Sequence, residues 1–240
     1  MQGVASIDQF DREFIDFSIE QWVLGIRVRL LLRMGRLDDA QACLVQMLSS
    51  DEMLGDPVIR QITHHLHVEL AAVTQDFALA KEHVSIVVNL AEQYASPYSK
   101  IFALWCSGLA DVSAGNLIAA QHSLSAALGQ ISSTGVAVEF EAEIRACLAE
   151  CHHKLGNLEL ALEAARENIG ISKPRNNRLA ECRSLIVCGG VLSQKADANS
   201  WQEALSLFNQ AEQLIHLTGA KIYEQALQSE RGRVLQLMGQ

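Results

Sequence analysis

The chain has 240 residues, of which 49% are hydrophobic, 5% are aromatic and three are proline. This composition excludes a disordered chain, which holds too few apolar residues to fold, and disfavours a β-sandwich or barrel built from aromatic and β-branched strands. Lys and Arg total 19 against 28 Asp and Glu, giving a formal net charge of −9. Because phosphates need a basic surface, we predict no nucleic-acid partner.

The same composition bears on the compartment. The most hydrophobic window, Trp22 to Leu32, is interrupted by two arginines, and no stretch reaches the roughly 18 apolar residues of a membrane-spanning helix. The first residues lack the basic and apolar regions of a secretory signal. Six cysteines lie in apolar, helix-patterned segments, where free thiols behave as small buried hydrophobes: Cys43, Cys106, Cys147, Cys151, Cys182 and Cys188. We therefore expect a reduced, cytoplasmic protein without a membrane contact.

An alanine recurs in one register along the chain, with an apolar residue three positions before it. The alanines are separated by 40, 40, 41 and 43 residues, at Ala40, Ala80, Ala120, Ala161 and Ala204. Pro57 and Pro97 are also 40 residues apart, and Pro174 follows close to two periods later. Because proline suits the first turn of a helix, each period predicts two helices, one opening near the proline and one near the alanine.

In chain order, the first helices of the periods are predicted at about 19–34, 57–73, 97–113, 136–154, 175–195 and 220–238. The second helices are predicted at about 37–49, 76–94, 117–131, 158–171 and 200–217. Residues 1–18 are an N-terminal extension or capping segment, and the repeats cover about 19–55, 56–95, 96–134, 135–173, 174–218 and, incompletely, 219–240. Because stacked pairs share a continuous core, we predict a single domain over residues 1–240.

The last predicted helix has no second helix after it to complete its repeat. Its apolar side contains Leu227, Val234, Leu235 and Leu237. An apolar side without a partner predicts either further chain or a second copy that covers it. A homodimer through this helix is therefore expected if no further chain follows.

The turn pattern Gly-(Asn, Asp or Arg)-hydrophobic-x-x-Ala, seen in Gly115–Ala120 and Gly156–Ala161, resembles the tetratricopeptide repeat. Gly108 and Gly232 stand where that family has a small residue in its first helix. The period of about 40 residues departs from the family's 34. Such elongated repeats, above all Ser200–Gly239, resemble the C-terminal regions of bacterial signalling ATPases, nucleotide cyclases and maltose-regulator-type transcription activators.

The resemblance implies an all-α, right-handed superhelix of antiparallel helix pairs, with a HEAT-like solenoid as the alternative. It also implies a concave groove lined by the first helices, which register assigns to Trp22, Arg29, Arg33, His65, Glu69, Phe102, Trp105, Glu150 and His153. The expected function is a non-catalytic protein–protein interaction and regulatory module of a larger signalling or transcription-regulating protein. Its partner would be a protein segment, a peptide or a neighbouring domain. The alternative is a sensor domain that binds a small-molecule inducer.

Catalytic and phosphate-binding motifs do not stand out, and we expect neither enzymatic activity nor a cofactor. His64 and His67 share a helix face and could ligate a metal ion with a third group from elsewhere. We instead expect core histidines, because Leu66 and Leu70 continue the apolar stripe around them. The spacing of the cysteines likewise matches the apolar period of a helix, and we predict no metal site.

A basic cluster surrounds the turn at Pro174. It consists of Lys173, Arg175, Arg178 and Arg183. A solvated loop explains it best, and an acidic partner is the alternative.

Overall fold

The computed structural model describes residues 18–195 and 197–239. Within these ranges the chain forms eleven α-helices and no strand: α1 (Ile19–Arg33), α2 (Leu37–Leu54), α3 (Pro57–Thr74), α4 (Phe77–Tyr94), α5 (Pro97–Ala114), α6 (Leu117–Thr134), α7 (Glu141–Lys154), α8 (Leu158–Ser172), α9 (Arg178–Ser193), α10 (Ala198–Thr218) and α11 (Glu224–Leu237). The prediction of an all-α fold is confirmed for this part of the chain. Most of the N-terminal extension predicted at 1–18 lies outside the described residues.

The recurring alanines and prolines occupy the positions that the repeat predicts. Each of the five alanines is at most 2% exposed, which allows the two helices of a pair to approach closely. Pro57 and Pro97 open α3 and α5, where a missing N–H has no partner to lose. The side chains of Asp56 and Ser96 accept hydrogen bonds from backbone N–H groups of these first turns. The predicted helix starts are therefore confirmed at both prolines.

Helix starts differ from the prediction in the fourth, fifth and sixth repeats. Pro174 lies in a turn, and α9 begins only at Arg178, because Asn177 caps it by accepting from the backbone N–H of Ala180 at 3.2 Å. Short 3₁₀ turns, Val138–Phe140 and Lys221–Tyr223, precede α7 and α11. The helix predicted at about 175–195 is therefore present, but it begins three residues later than predicted.

Each helix packs against the next one in the sequence, and odd-numbered helices also pack against the next odd-numbered helix. This is the pattern of an array of helix pairs in which the odd-numbered helices form one continuous layer. One further contact joins distant parts of the chain, because α1 touches the 3₁₀ turn Lys221–Tyr223. The array therefore curves until its first helix meets its sixth repeat.

The hydrophobic core runs along the whole array. All six cysteines are buried free thiols within it, as predicted. In α11, Leu227 and Val234 are at most 1% exposed because they pack in a cluster with residues of α9 and α10, whereas Leu237 is half exposed. Much of the apolar side that the sequence left without a partner is thus covered by the chain itself. Among the described residues, no helix is long and apolar enough to cross a membrane.

Candidate functional site

The curved array encloses a cavity of about 630 Å³ between its odd-numbered helices. This volume lies within the range of about 300–1,000 Å³ that is typical of small-molecule sites. Its polar and aromatic lining includes Arg33, Glu69, Trp105, Glu143, Glu150, His153, Arg183, Tyr223 and Glu230. Apolar side chains such as Leu109, Val112 and Ile186 complete the wall.

Two arginines of α1 meet two carboxylates of other repeats at one side of this cavity. The guanidinium of Arg29 lies 2.7 Å from Glu143 Oε2 and 3.5 Å from Glu69 Oε1. Arg33 lies 3.1 Å from Glu69 Oε1 and 3.7 Å from Glu143 Oε2. Because these residues belong to α1, α3 and α7, the ion pairs join the first, second and fourth repeats across the interior.

Glu69 is the most deeply buried member of this group, with a side chain only 3% exposed. Burial alone would raise the pKa of its carboxyl group, but the Arg33 and Arg29 guanidiniums outweigh burial and hold the pKa well below its usual range. Its Oε1 receives all of its contacts, and its buried Oε2 has no hydrogen-bond partner among the described residues. One oxygen of an ionised carboxylate is thus buried without a hydrogen bond.

Aromatic rings pack behind Glu69. His65 Nε2 lies 3.2 Å from Glu69 Oε1, and its ring centroid lies 4.4 Å from that of Trp105 and 4.5 Å from that of Phe102. The Arg29 guanidinium lies 5.9 Å from the Trp105 ring centroid. Phe102 and Trp105 are each 3% exposed. These rings orient the charged groups and form a rigid apolar wall.

A second charged cluster joins α7 to α9. Glu150 accepts a 2.8 Å hydrogen bond from Arg183 Nε, and Lys154 Nζ lies 2.8 Å from its other oxygen. Burial opposes the ionised form of Glu150, yet Arg183 and Lys154 lower its pKa to about 2. The interpretation of Arg183 as part of a basic loop cluster was therefore wrong, because its side chain lies inside the array.

The third charged group of the cavity lies near α11. Glu230 Oε1 accepts a 3.1 Å hydrogen bond from Arg233, while its buried Oε2 has no partner among the described residues. His153 Nε2 lies 2.9 Å from the side-chain nitrogen of Gln194. Burial raises the pKa of the nearby Tyr223 hydroxyl, which therefore stays protonated. A second carboxylate oxygen among the lining residues is thus buried without a hydrogen bond.

The nine residues assigned to the groove fall into three groups. Arg33, Glu69, Trp105, Glu150 and His153 line the cavity. Arg29 and His65 contact those lining residues, as described above, and the ring centroid of Phe102 lies 5.8 Å from that of Trp105. Trp22 lies on α1 outside the cavity lining and is 39% exposed.

Other lining residues were not among the nine predicted groove residues, and Arg183, Glu230 and Tyr223 are examples. Arg183 was assigned to a loop, Glu230 belongs to the incomplete last repeat, and Tyr223 lies in a 3₁₀ turn that the repeat pattern does not mark. The repeat register could have pointed to the first two, since both lie in predicted first helices. Tyr223 also falls within the range 220–238 predicted for the last first helix, although it lies in the 3₁₀ turn before that helix.

The charges of the cavity lining balance one another, with four basic residues (Arg33, Lys154, Arg183 and Arg233) and four acidic ones (Glu69, Glu143, Glu150 and Glu230). Such a lining offers hydrogen-bond donors and acceptors without a net charge.

Neither the protein families nor the curated proteins compared with this chain give a match.

Proposed function

We propose that this chain is a non-catalytic sensor module that binds a compact polar molecule inside the curved array. The observation that carries this proposal is the pair of buried, unpartnered carboxylate oxygens, Glu69 Oε2 and Glu230 Oε2, in the wall of one cavity. A buried acceptor without a hydrogen bond is costly. A rotation of either side chain towards the cavity would let a ligand donate to this oxygen and recover that cost. The proposal includes a tetratricopeptide-like, right-handed arrangement of the repeats.

The balanced lining defines the chemical class of the ligand. A strongly charged ligand would pair with lining residues of the opposite sign and leave a lining residue of its own sign without a counter-ion. Burial of an unpaired ion is unfavourable. Hydroxyl groups can donate to the free carboxylate oxygens and accept from arginines that are already paired. We therefore propose a neutral, polyhydroxylated or zwitterionic metabolite. The apolar wall beside Trp105 can contact its carbon skeleton.

A thermal-shift screen of neutral polyols, sugars and amino acids tests this function. A ligand that binds only the folded chain stabilises it by about 2.7 kcal/mol at 100 times its Kd, which raises the melting temperature. Any hit is then titrated into the Glu230→Gln variant, which exchanges an unpartnered carboxylate oxygen for an amide and keeps the size of the side chain. We expect weaker binding by Glu230→Gln.

Glu163→Gln is the matched control, because Glu163 is exposed on the outer face of α8. It should bind the hit as the unmodified chain does. A screen without any shift, or a hit that Glu230→Gln and Glu163→Gln bind equally well, contradicts the proposed site.

A protein partner is the second candidate function, and a separate observation favours it. Val23, Ile26 and Leu30 of α1 are 55%, 46% and 59% exposed, and their spacing of three and four residues places them along one helix face. A helix or peptide with an apolar face fits such a stripe. The partner of this interaction or scaffold module would then dock outside the cavity.

Substitution of this stripe distinguishes the two candidates. Ile26→Asp should abolish capture of a protein partner and leave metabolite binding unchanged. Ile118→Asp is the control, because Ile118 of α6 is 71% exposed and lies far along the chain from the stripe. Capture that survives Ile26→Asp contradicts a role for the stripe.

A further inference from the structure

Three histidines of the second repeat meet between α3 and α4, away from the cavity lining. His64 and His67 lie on α3, and His83 comes from α4. One ring nitrogen of each lies within 4.8 Å of the others. The three residues are 6–9% exposed, so the cluster is buried but not sealed from solvent.

The hydrogen bonds of the cluster set the protonated nitrogen of one ring and pair the other two rings with each other. His67 Nδ1 lies 2.9 Å from the backbone carbonyl oxygen of Thr63. Because a carbonyl oxygen only accepts, Nδ1 carries the proton and Nε2 keeps a lone pair. A histidine that binds a metal through one nitrogen commonly donates its other N–H in this way.

His64 and His83 contact each other directly. Their Nδ1 atoms are 2.8 Å apart, so one ring donates and the other accepts. The ring of His83 also stacks on that of His67, with a centroid distance of 4.2 Å. His83 therefore contacts both α3 histidines, and α4 supplies the third group that the sequence of α3 lacks.

The repeat itself does not require imidazoles at these places. Shifted by one period of 40 residues, the three positions are Leu104, Ser107 and Ser123 in the third repeat. In the first repeat they are Leu24, Arg27 and Cys43. Helix pairs therefore pack with other residues at these places, and the histidines are particular to the second repeat.

We propose that His64, His67 and His83 bind a divalent transition-metal ion of the zinc class. Imidazole nitrogens suit Zn²⁺, Cu²⁺ and Ni²⁺, and three histidines with one open position form a known kind of zinc site. Tetrahedral ligands at about 2.0–2.1 Å from the ion lie about 3.3 Å from one another. The 2.8 Å contact between His64 and His83 therefore opens by about half an ångström, and the proton between these two Nδ1 atoms moves to Nε2 of its own ring. The His67 ring, which is stacked on His83, turns so that its Nε2 lone pair faces the ion.

Two charged side chains act on the cluster from its surroundings. Glu82 of α4 acts electrostatically on His67, and Arg60 of α3 acts on His64. A water molecule completes the coordination. In place of the hydrogen bond between His64 and His83, the ion binds ligands from both α3 and α4. It therefore links the two helices.

Metal titration of the full chain tests this site. The protein is treated with a chelator, and Zn²⁺ is then titrated in competition with a chromophoric chelator. We expect one equivalent to bind and the melting temperature to rise. Co²⁺ absorption and Cu²⁺ electron paramagnetic resonance should show nitrogen ligation. Thiolate-to-metal charge-transfer bands, or the absence of binding, overturn the proposal.

Substitutions then assign the ligands. Loss of a residue that supports a metal ligand typically weakens binding by about 10- to 100-fold. Because His83→Asn and His67→Gln each remove a ligand itself, they should weaken Zn²⁺ binding by more than this. His122→Gln is the control, because His122 is exposed on α6 and should leave binding unchanged. Circular dichroism verifies that each variant folds. The proposal is wrong if the folded His83→Asn variant binds Zn²⁺ as tightly as His122→Gln does. Where a variant does not fold, the Co²⁺ and Cu²⁺ spectra of the unmodified chain still test nitrogen ligation.

Discussion

The inner cavity and the histidine cluster both bury polar side chains, but they do so by opposite means. In the cavity, Glu69 and Glu150 stay ionised because arginines neutralise them at 2.8–3.1 Å. In the cluster, burial lowers the pKa of His64 and His83 to about 4, so both rings are neutral near pH 7. The glutamates of the cavity therefore stay charged because arginines pair with them. The imidazoles of the cluster are neutral, and their nitrogen lone pairs remain available to a ligand.

This difference shows which kind of ligand each region can accept. A paired ionic lining rejects a further net charge and accepts hydrogen bonds. Neutral imidazoles with lone pairs suit a cation, which their protonated forms would repel. The two regions are therefore separate candidate sites within one array, and variants of each should differ in the size of their effects.

The largest effect is expected from Glu69→Ala. The change removes the 3.1 Å contact of Arg33, whose side chain is 15% exposed, and leaves the longer contact to Glu143. Breaking a buried ion pair costs about 3–5 kcal/mol in the free energy of unfolding. Urea denaturation measures this cost, with the exposed Glu163→Ala as a control expected within about 0.5 kcal/mol. A cost of Glu69→Ala no larger than that of the control would contradict the paired-charge description.

Acid should destabilise the cavity through Glu150. Its pKa is lowered in the folded chain from 4.5 to about 2, so the folded state loses stability as the pH falls from 4.5 towards 2, where the unfolded chain binds the proton first. The loss attributable to this group is on the order of 3 kcal/mol.

Urea unfolding at several pH values checks the effect of Glu150. The Glu150→Gln variant isolates it from Glu69 and Glu141, whose pKa values are also lowered. A variant curve as steep as that of the unmodified chain over this range would refute the role of Glu150.

A smaller effect is expected from His83→Leu in the metal-free chain. It removes the hydrogen bond to His64 and leaves a buried ring nitrogen unsatisfied, which costs about 1–2 kcal/mol. Replacement of both partners by leucine should cost less than the sum of the single replacements, because no nitrogen is then left unpaired. A double-mutant cycle by chemical denaturation measures the difference. Strict additivity would show that the two rings do not interact.

The smallest effect is expected for the exposed ion pair of Arg166 and Glu203. Their side chains are 54% and 51% exposed, so water and salt screen the 3.0 Å contact. Arg166→Ala should change the free energy of unfolding by less than about 0.5 kcal/mol. A loss approaching that of Glu69→Ala would mean that burial does not decide the strength of these pairs. Thermal denaturation at low and high salt measures it.

The helices were predictable from the sequence because their signals are local. The alanine register, together with Pro57 and Pro97, specifies close approach and helix starts within one repeat. Where a stronger cap competes, as Asn177 does after Pro174, the start moves. The 3₁₀ turns depend on the direction in which the backbone approaches the next helix. The repeated residue pattern does not specify that direction.

The candidate sites were predictable only in part. Register placed Arg33, Glu69 and Trp105 on the inner layer, because helical periodicity fixes the face of a residue. The contact between the first and sixth repeats depends on small rotations that add up over the array, and local patterns do not specify their sum. His83 lies 16 residues after His67, so its approach to α3 becomes evident only when the hairpin is built.

The contact of α1 with Lys221–Tyr223 has a kinetic consequence. In an open array every contact is between neighbours, and folding can propagate from any repeat. Here one contact joins segments separated by most of the described chain, and closing so large a loop is entropically unfavourable until the intervening hairpins have shortened it. We therefore expect the ring to close after its hairpins form, so that the cavity is assembled in the last step of folding.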